Sequence, residues 1–154
     1  MPIKIICPGK TRETWIKQGI EEYQKRLNPV WKIDWQELKD ASLKSENTIV
    51  KVKKQEALII NKTISTDDYI IALDERGKNL DSISFAHTLE ELVMTKSIVF
   101  VIGGVYGLDS SVLNRANLTL SFSSFTFPHQ LIRLILMEQL YRAWTIISGK
   151  TYHY

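Results

Sequence analysis

A single cysteine, Cys7, is all the thiol this chain carries. That excludes an intramolecular disulfide framework and a cysteine-rich zinc site, and a reducing compartment is the simplest setting for it. Histidine is equally scarce: His87, His129 and His153 are the three, and none has a partner at metal-ligand spacing, so no metal is expected. No stretch approaches the roughly 20 apolar residues that a membrane span needs. The opening Met1-Pro-Ile-Lys-Ile-Ile-Cys-Pro8 is too short an apolar run for a signal peptide. Internal repeats, low-complexity tracts and linkers are missing as well. The expectation is one soluble cytoplasmic domain over 1–154, with length enough for a real core.

Charge of one sign is also in short supply, for the net value is only +3. Residues 1–30 carry six Lys/Arg against three Asp/Glu, 31–97 ten against twelve, and 98–154 four against two. Both ends are therefore mildly basic and the middle mildly acidic. That distribution admits a polyanionic partner, and a solvated surface explains it equally well.

What is present is a regular alternation of strand and helix signals. A strand is expected over 3–7, ended by Pro8-Gly9. Thr11 stands where it would cap a helix whose apolar positions are Trp15, Ile16, Ile20, Tyr23 and Leu27, stopped by Asn28-Pro29. Trp31, Ile33 and Trp35 alternate as in a half-buried strand. A flexible loop is expected at 40–46 and a helix over 45–63, with Lys51, Lys53 and Lys54 on a solvated face. A buried strand over 69–73 should meet a turn at Asp74-Glu-Arg-Gly77. Ser82 opens a helix through Phe85, Leu89 and Val93. A strand over 98–102, a short helix over 109–116 and a strand over 118–122 follow. The last helix runs from Phe127 to Ile147, with Pro128 in its first turn. This order predicts an α/β fold with a mostly parallel sheet covered by helices on both faces.

Ligands in such a sheet sit at the carboxyl ends of strands. Three ends stand out: Leu73-Asp74, Gly103-Gly104, and Ser121 to Phe127. Gly103 and Gly104 allow close backbone approach to a ligand, and a tight turn needed only for folding accounts for them equally. Two resemblances to phosphate motifs fail. Gly103-Gly104-Val-Tyr-Gly107 lacks the dinucleotide spacing. Ser148-Gly-Lys-Thr151 has Trp144 where the earlier glycine belongs, and it follows a helix instead of opening one. His87 lies beside Thr88 and Glu90 on an amphipathic helix and should be exposed. His129, at a helix start, suits capping or packing as well as catalysis. His153 lies in a ring-bearing polar tail, Tyr152-His153-Tyr154, where disorder is the default and closure over the pocket is the expected use. The final helix is apolar nearly all round, which implies burial on more than one side and points to a symmetric dimer interface. Glu138 and Arg142 form its narrow polar stripe at i, i+4 spacing.

Taken together, Val101-Ile-Gly-Gly104 with Gly107-Leu108, Leu120-Ser-Phe-Ser123, Thr126-Phe-Pro-His129, Arg133, Glu138-Gln-Leu-Tyr-Arg-Ala143 and Tyr152-His153 resemble the RlmH family of 23S ribosomal RNA pseudouridine N3-methyltransferases. Gly9-Lys10 and Glu22-Tyr-Gln-Lys-Arg-Leu27 also fit, so the resemblance covers nearly the whole chain. It implies a SPOUT-class α/β fold with a C-terminal trefoil knot, a homodimer, and S-adenosylmethionine as methyl donor. The implied donor contacts are Leu73, Gly103, Gly104, Phe122, Ser123, Ser124, Phe125, Thr126 and Phe127. The implied substrate is a pseudouridine in the helix 69 stem-loop of 23S rRNA, met in the assembled ribosome. The family pattern ends Tyr-His followed by Arg or Lys, and Tyr154 stands there instead.

For the implied reaction, Arg142 cannot act as a base but can stabilise charge on a uracil oxygen. His153 could take the N3 proton, and Tyr152 could stack or hydrogen-bond. His129 and Arg142 are thirteen residues apart on one helix, roughly 20 Å at the usual rise. If both touch one substrate, they should come from different subunits. Two other readings stay open: a non-catalytic ribosome-binding protein on the same fold, and a methyltransferase for a different RNA.

Overall fold

The computed structural model describes residues 2–41 and 48–154. The elements are β1 (Ile3–Pro8), α1 (Thr14–Leu27), β2 (Ile33–Leu38), α2 (Ile49–Thr63), β3 (Asp68–Asn79), α3 (Ser82–Val93), β4 (Ser97–Ile102), α4 (Ser110–Leu113), β5 (Leu118–Ser121) and α5 (His129–Ile147). The expected loop at 40–46 falls largely outside the described residues, as does the expected helix start at 45. All five strands pair in parallel, in the order β2-β1-β4-β3-β5.

Strand side chains alternate between the two faces, and both faces are covered. Ile3, Ile5 and Cys7 of β1 and Ile98, Phe100 and Ile102 of β4 point into one core, shared with α1, α3 and α5. Ile6, Val99 and Val101 point the other way, into a smaller core with α2 and α4. Each fully buried Ile or Phe contributes about 1.5–3 kcal/mol, which is why these strands read as near-continuous apolar runs.

Three local expectations are corrected. Thr11 does not cap α1. Its hydroxyl donates to Glu37 Oε1 at 2.8 Å and accepts from Arg133 Nη1 at 3.0 Å, and α1 starts after Glu13 with no side-chain cap. Asp74 to Gly77 is not a turn. β3 runs through it as an irregular strand, with its register against β5 shifting between Leu73 and Lys78. A Cβ on Gly77 would lie 2.6 Å from the Thr119 carbonyl oxygen, so glycine is what lets the two strands stay paired there. Pro128 precedes the last helix instead of lying in its first turn.

Ser148-Gly-Lys-Thr151, the apparent phosphate-loop end, closes α5. Gly149 has φ +68°, the left-handed conformation that glycine adopts freely. The Gly149 and Lys150 N–H groups donate to the Ile146 and Thr145 carbonyls at 3.3 and 2.9 Å. This helix-ending pattern reverses the chain and sends the tail back along α5.

α5 packs against both α1 and α3. Leu136, Met137, Leu140 and Ala143 form its buried face. Among them sits Arg133, fully buried, which donates to the carbonyls of Pro8 at 2.6 Å and Gly9 at 2.9 Å. The side chain fastens α5 to the carboxyl end of β1, although its Nε has no partner among the described residues. Leu131 and Ile135 are half-buried and lie outside both cores.

Candidate active site

A cavity of about 440 Å³ opens beside the irregular stretch of β3 after Leu73 and the ends of β4 and β5, within the size range of small-molecule sites. Leu73 lines it from β3. Gly103 and Gly104 line it from the turn after β4. Phe122, Ser123, Phe125, Thr126 and Phe127 line it from the β5–α5 connection. Ser124 lies in that connection but is not on the wall. His129, the first residue of α5, closes one side.

The structure supplies a folding reason for both glycines. A Cβ on Gly103 would lie 2.8 Å from the Gly107 carbonyl carbon, and one on Gly104 would lie 3.0 Å from Glu56 Oε1. Gly103 allows the turn to close on itself, and Gly104 makes room for a carboxylate that is only 6% exposed. Burial holds the Glu56 carboxyl above its ordinary value, against a backbone hydrogen bond from Ala41.

Polar groups line the cavity as well, and of these Lys53, Glu75 and Arg76 were not assigned to a site by sequence reasoning. Lys53, expected on a solvated face, lines the cavity from α2. Asp74 takes both Nε and Nη2 of Arg76, at 3.0 and 3.1 Å, and this pairing holds its carboxyl below the usual range. Thr126 donates to Glu75 at 3.4 Å. Phe125 is 79% exposed at the rim, an apolar side chain left facing outward. On the far side of His129 lies a second cavity of about 490 Å³, with Lys10, Arg12, Trp15 and Leu131 on its wall. Burial pulls the His129 imidazole down, with Arg133 and Arg12 adding to the shift.

Arg142, Tyr152 and His153 are on neither wall. They form a second cluster near the other end of α5. Glu138 Oε1 accepts from Arg142 Nε at 3.0 Å, from Arg142 Nη2, and from the Tyr152 hydroxyl at 3.2 Å. Arg142 Nη1 lies 3.2 Å from His153 Nδ1, and its guanidinium lies over the Tyr152 ring at 4.9 Å. The Tyr152 ring meets Tyr141 edge-on at 4.8 Å, and its hydroxyl is 3.3 Å from that of Tyr23. Burial, followed by Tyr23 and Glu138, raises the Tyr152 phenol above its ordinary value. The tail therefore has the partners whose lack made disorder the expectation, and all of them belong to α1 and α5. Within one chain it does not close over the cavity.

The remaining candidates are simpler. His87 is 67% exposed, 3.7 Å from Glu90. Burial pushes the Cys7 thiol up to about 12, so it is no nucleophile. Among the described residues no helix is long and apolar enough to cross a membrane.

Known proteins resemble this chain along its whole length. A family model described as "Predicted SPOUT methyltransferase" matches residues 1–153. A protein of Natranaerobius thermophilus is 45% identical over 159 residues, covering 100% of both chains. Proteins of Clostridium botulinum strain Kyoto and of Streptococcus equi subsp. zooepidemicus are each 45% identical, over 161 and 158 residues, covering 99% of each chain. All three are named ribosomal RNA large subunit methyltransferase H.

Proposed function

The chain belongs to the RlmH family of SPOUT methyltransferases, and from that premise we propose that it methylates N3 of a pseudouridine in the helix 69 loop of 23S rRNA, in assembled ribosomes of the cytoplasm. It is an S-adenosylmethionine-dependent ribosomal RNA methyltransferase. We read residues 1–154 as one domain with the C-terminal trefoil knot of its class, working as a homodimer.

The cavity suits the donor. Its apolar wall of Leu73, Phe122 and Phe127 fits an adenine ring, while Lys53 together with Asp74 and Glu75 on the lining matches the two charges of an amino-acid end. When bound, S-adenosylmethionine supplies an electrophilic methyl group. The chain's own task is to orient the base and to hold the negative charge that loss of the imide proton leaves on the uracil oxygens. Arg142 carries the cation for that task.

The observation that carries the reading is the separation of the two clusters. His129 at the cavity and Arg142 beside the tail lie thirteen residues, or about 20 Å, apart on α5, yet both clusters contain residues that match the family's motifs. A two-fold dimer packed through α5, where half-buried Leu131 and Ile135 lack a core to join, would bring the tail of one chain to the cavity of the other.

Tritium transfer from labelled donor into assembled ribosomes, compared with naked rRNA, tests the activity. No transfer to either would leave a non-catalytic ribosome-binding protein. Transfer to another RNA alone would refute the substrate. A mixture tests the shared site. Leu73→Trp fills the cavity and Arg142→Ala removes the cation. Random pairing of these inactive chains should restore about a quarter of wild-type transfer, since half the dimers would then hold one intact site. No recovery despite verified subunit exchange would overturn it.

A further inference from the structure

We propose that Glu138 is a positioning residue which, through Arg142, holds the His153 imidazole as its Nε2–H tautomer, so that His153 meets the target base as a hydrogen-bond donor and not as the group that removes its proton. The inference rests on the reading that the tail takes part in catalysis.

Glu138 is saturated. Oε1 takes Arg142 Nε, Arg142 Nη2 and the Tyr152 hydroxyl, and Oε2 takes Gln139 Nε2 at 2.8 Å. A guanidinium is planar. With Nε and Nη2 committed to one carboxylate, the direction of Nη1 is set, and it meets His153 Nδ1 at 3.2 Å. Arginine has five donors, no acceptor, and stays protonated. The ring nitrogen facing it must therefore provide a lone pair, and the single proton of the neutral imidazole sits on the other nitrogen.

Two consequences follow for chemistry. The nitrogen left to meet substrate, Nε2, already carries a hydrogen and has no lone pair with which to accept another. The other nitrogen, Nδ1, already accepts from Arg142 Nη1 and has no second lone pair to offer. Among the described residues, the charged groups near the ring are Arg142 and Glu138 of α5 and Asp81 at the start of α3. Asp81 Oδ1 accepts the Ser84 N–H at 2.7 Å, and among the described residues the ring's hydrogen-bond partner is Arg142, not Asp81. Nε2–H is then free to donate to a uracil oxygen as charge develops there, while the N3 proton leaves to solvent.

The test is two-bond 1H–15N correlation spectroscopy of the full-length protein, above the ordinary histidine value of about 6.5. The His153 signals are assigned by their loss in His153→Gln. In wild type Nδ1 should be pyridine-like and Nε2 pyrrole-like. Glu138→Gln should release Arg142 and shift His153 toward the mixed tautomers of a free histidine. A dominant Nδ1–H form in wild type, or identical spectra in the two proteins, would overturn the proposal. Kinetics give a second arm. Glu138→Gln should lower kcat by up to about 100-fold with donor affinity unchanged, and Glu138→Asp should restore part of it. His153→Gln, which can donate but cannot act as a base, should retain far more transfer than His153→Leu; equal loss in both would sink the donor role. If deleting 152–154 leaves full transfer, the catalytic reading of the tail fails, whatever tautomer the spectra report.

Discussion

The two clusters of polar chemistry in this molecule are built from different materials. The cavity is largely a backbone construction: it forms beside the irregular stretch of β3 and the ends of β4 and β5, and glycines at 77, 103 and 104 decide how closely the chain passes other groups. The tail cluster is a side-chain construction. Its shape comes from one carboxylate, Glu138, that organises Arg142 and Tyr152, and through Arg142 reaches His153. A backbone site tolerates little addition, because the atoms in the way cannot rotate aside. A side-chain site tolerates little removal, because each donor is held by another's acceptor.

The largest effect should come from adding bulk to the backbone site. Gly103→Val places a Cβ 2.8 Å from the Gly107 carbonyl carbon, and calorimetry should find donor binding abolished. Unchanged affinity would break the comparison at its stronger end.

Removal at the other site should leave donor binding intact. Deleting 152–154 should remove methyl transfer, and Arg142→Ala should cost about 3 kcal/mol of transition-state stabilisation, on the order of 100-fold in kcat. Weakened donor affinity in either variant would mean that the two clusters are not separable functions.

Between these extremes, Ile135→Glu puts a charge on the half-buried face of α5 that neither core covers. Analytical ultracentrifugation should show a weakened dimer, while circular dichroism reports a folded chain. A wild-type monomer at micromolar concentration would remove the basis for a shared site.

The smallest effect sharpens the comparison from beneath the cavity. Burial raises the Glu56 carboxyl above 4.5, so the folded state holds its proton more tightly than the unfolded state. The stability this gives is complete below pH 4.5 and is lost as pH rises through the raised value. Glu56→Gln should flatten that loss. Thermal melts should coincide at low pH and separate at neutral pH, the variant melting higher.

Much of this was legible in the residues. The apolar runs at 3–7, 69–73 and 98–102 and the helical spacing of Trp15 to Leu27 lead to a parallel sheet with two covered faces, because period alone places each side chain. The level of Leu73, Gly103 and Gly104, where the cavity opens, was legible for the same reason. The extension of β3 past Leu73 was not. Asp74-Glu-Arg-Gly77 has turn chemistry, and only pairing with β5, more than forty residues on, turns it into strand. Arg133 could not be seen as buried, since its acceptors are carbonyls at the end of β1. The tail read as disordered because its partners Tyr23, Glu138 and Tyr141 have no signature in the local sequence.

The division follows the range of the forces involved. Local periodicity, glycine's freedom and the apolar pattern act within a few residues, so the sequence by itself determined the strands, the helices and the level of the sheet at which a ligand pocket would open. Which polar atoms share one proton or one carboxylate depends on distances of about 3 Å between residues far apart in the chain. Only the tertiary structure decided that Glu138 would grip Arg142 and Tyr152 together, and that this cluster would stand away from the cavity it resembles in importance.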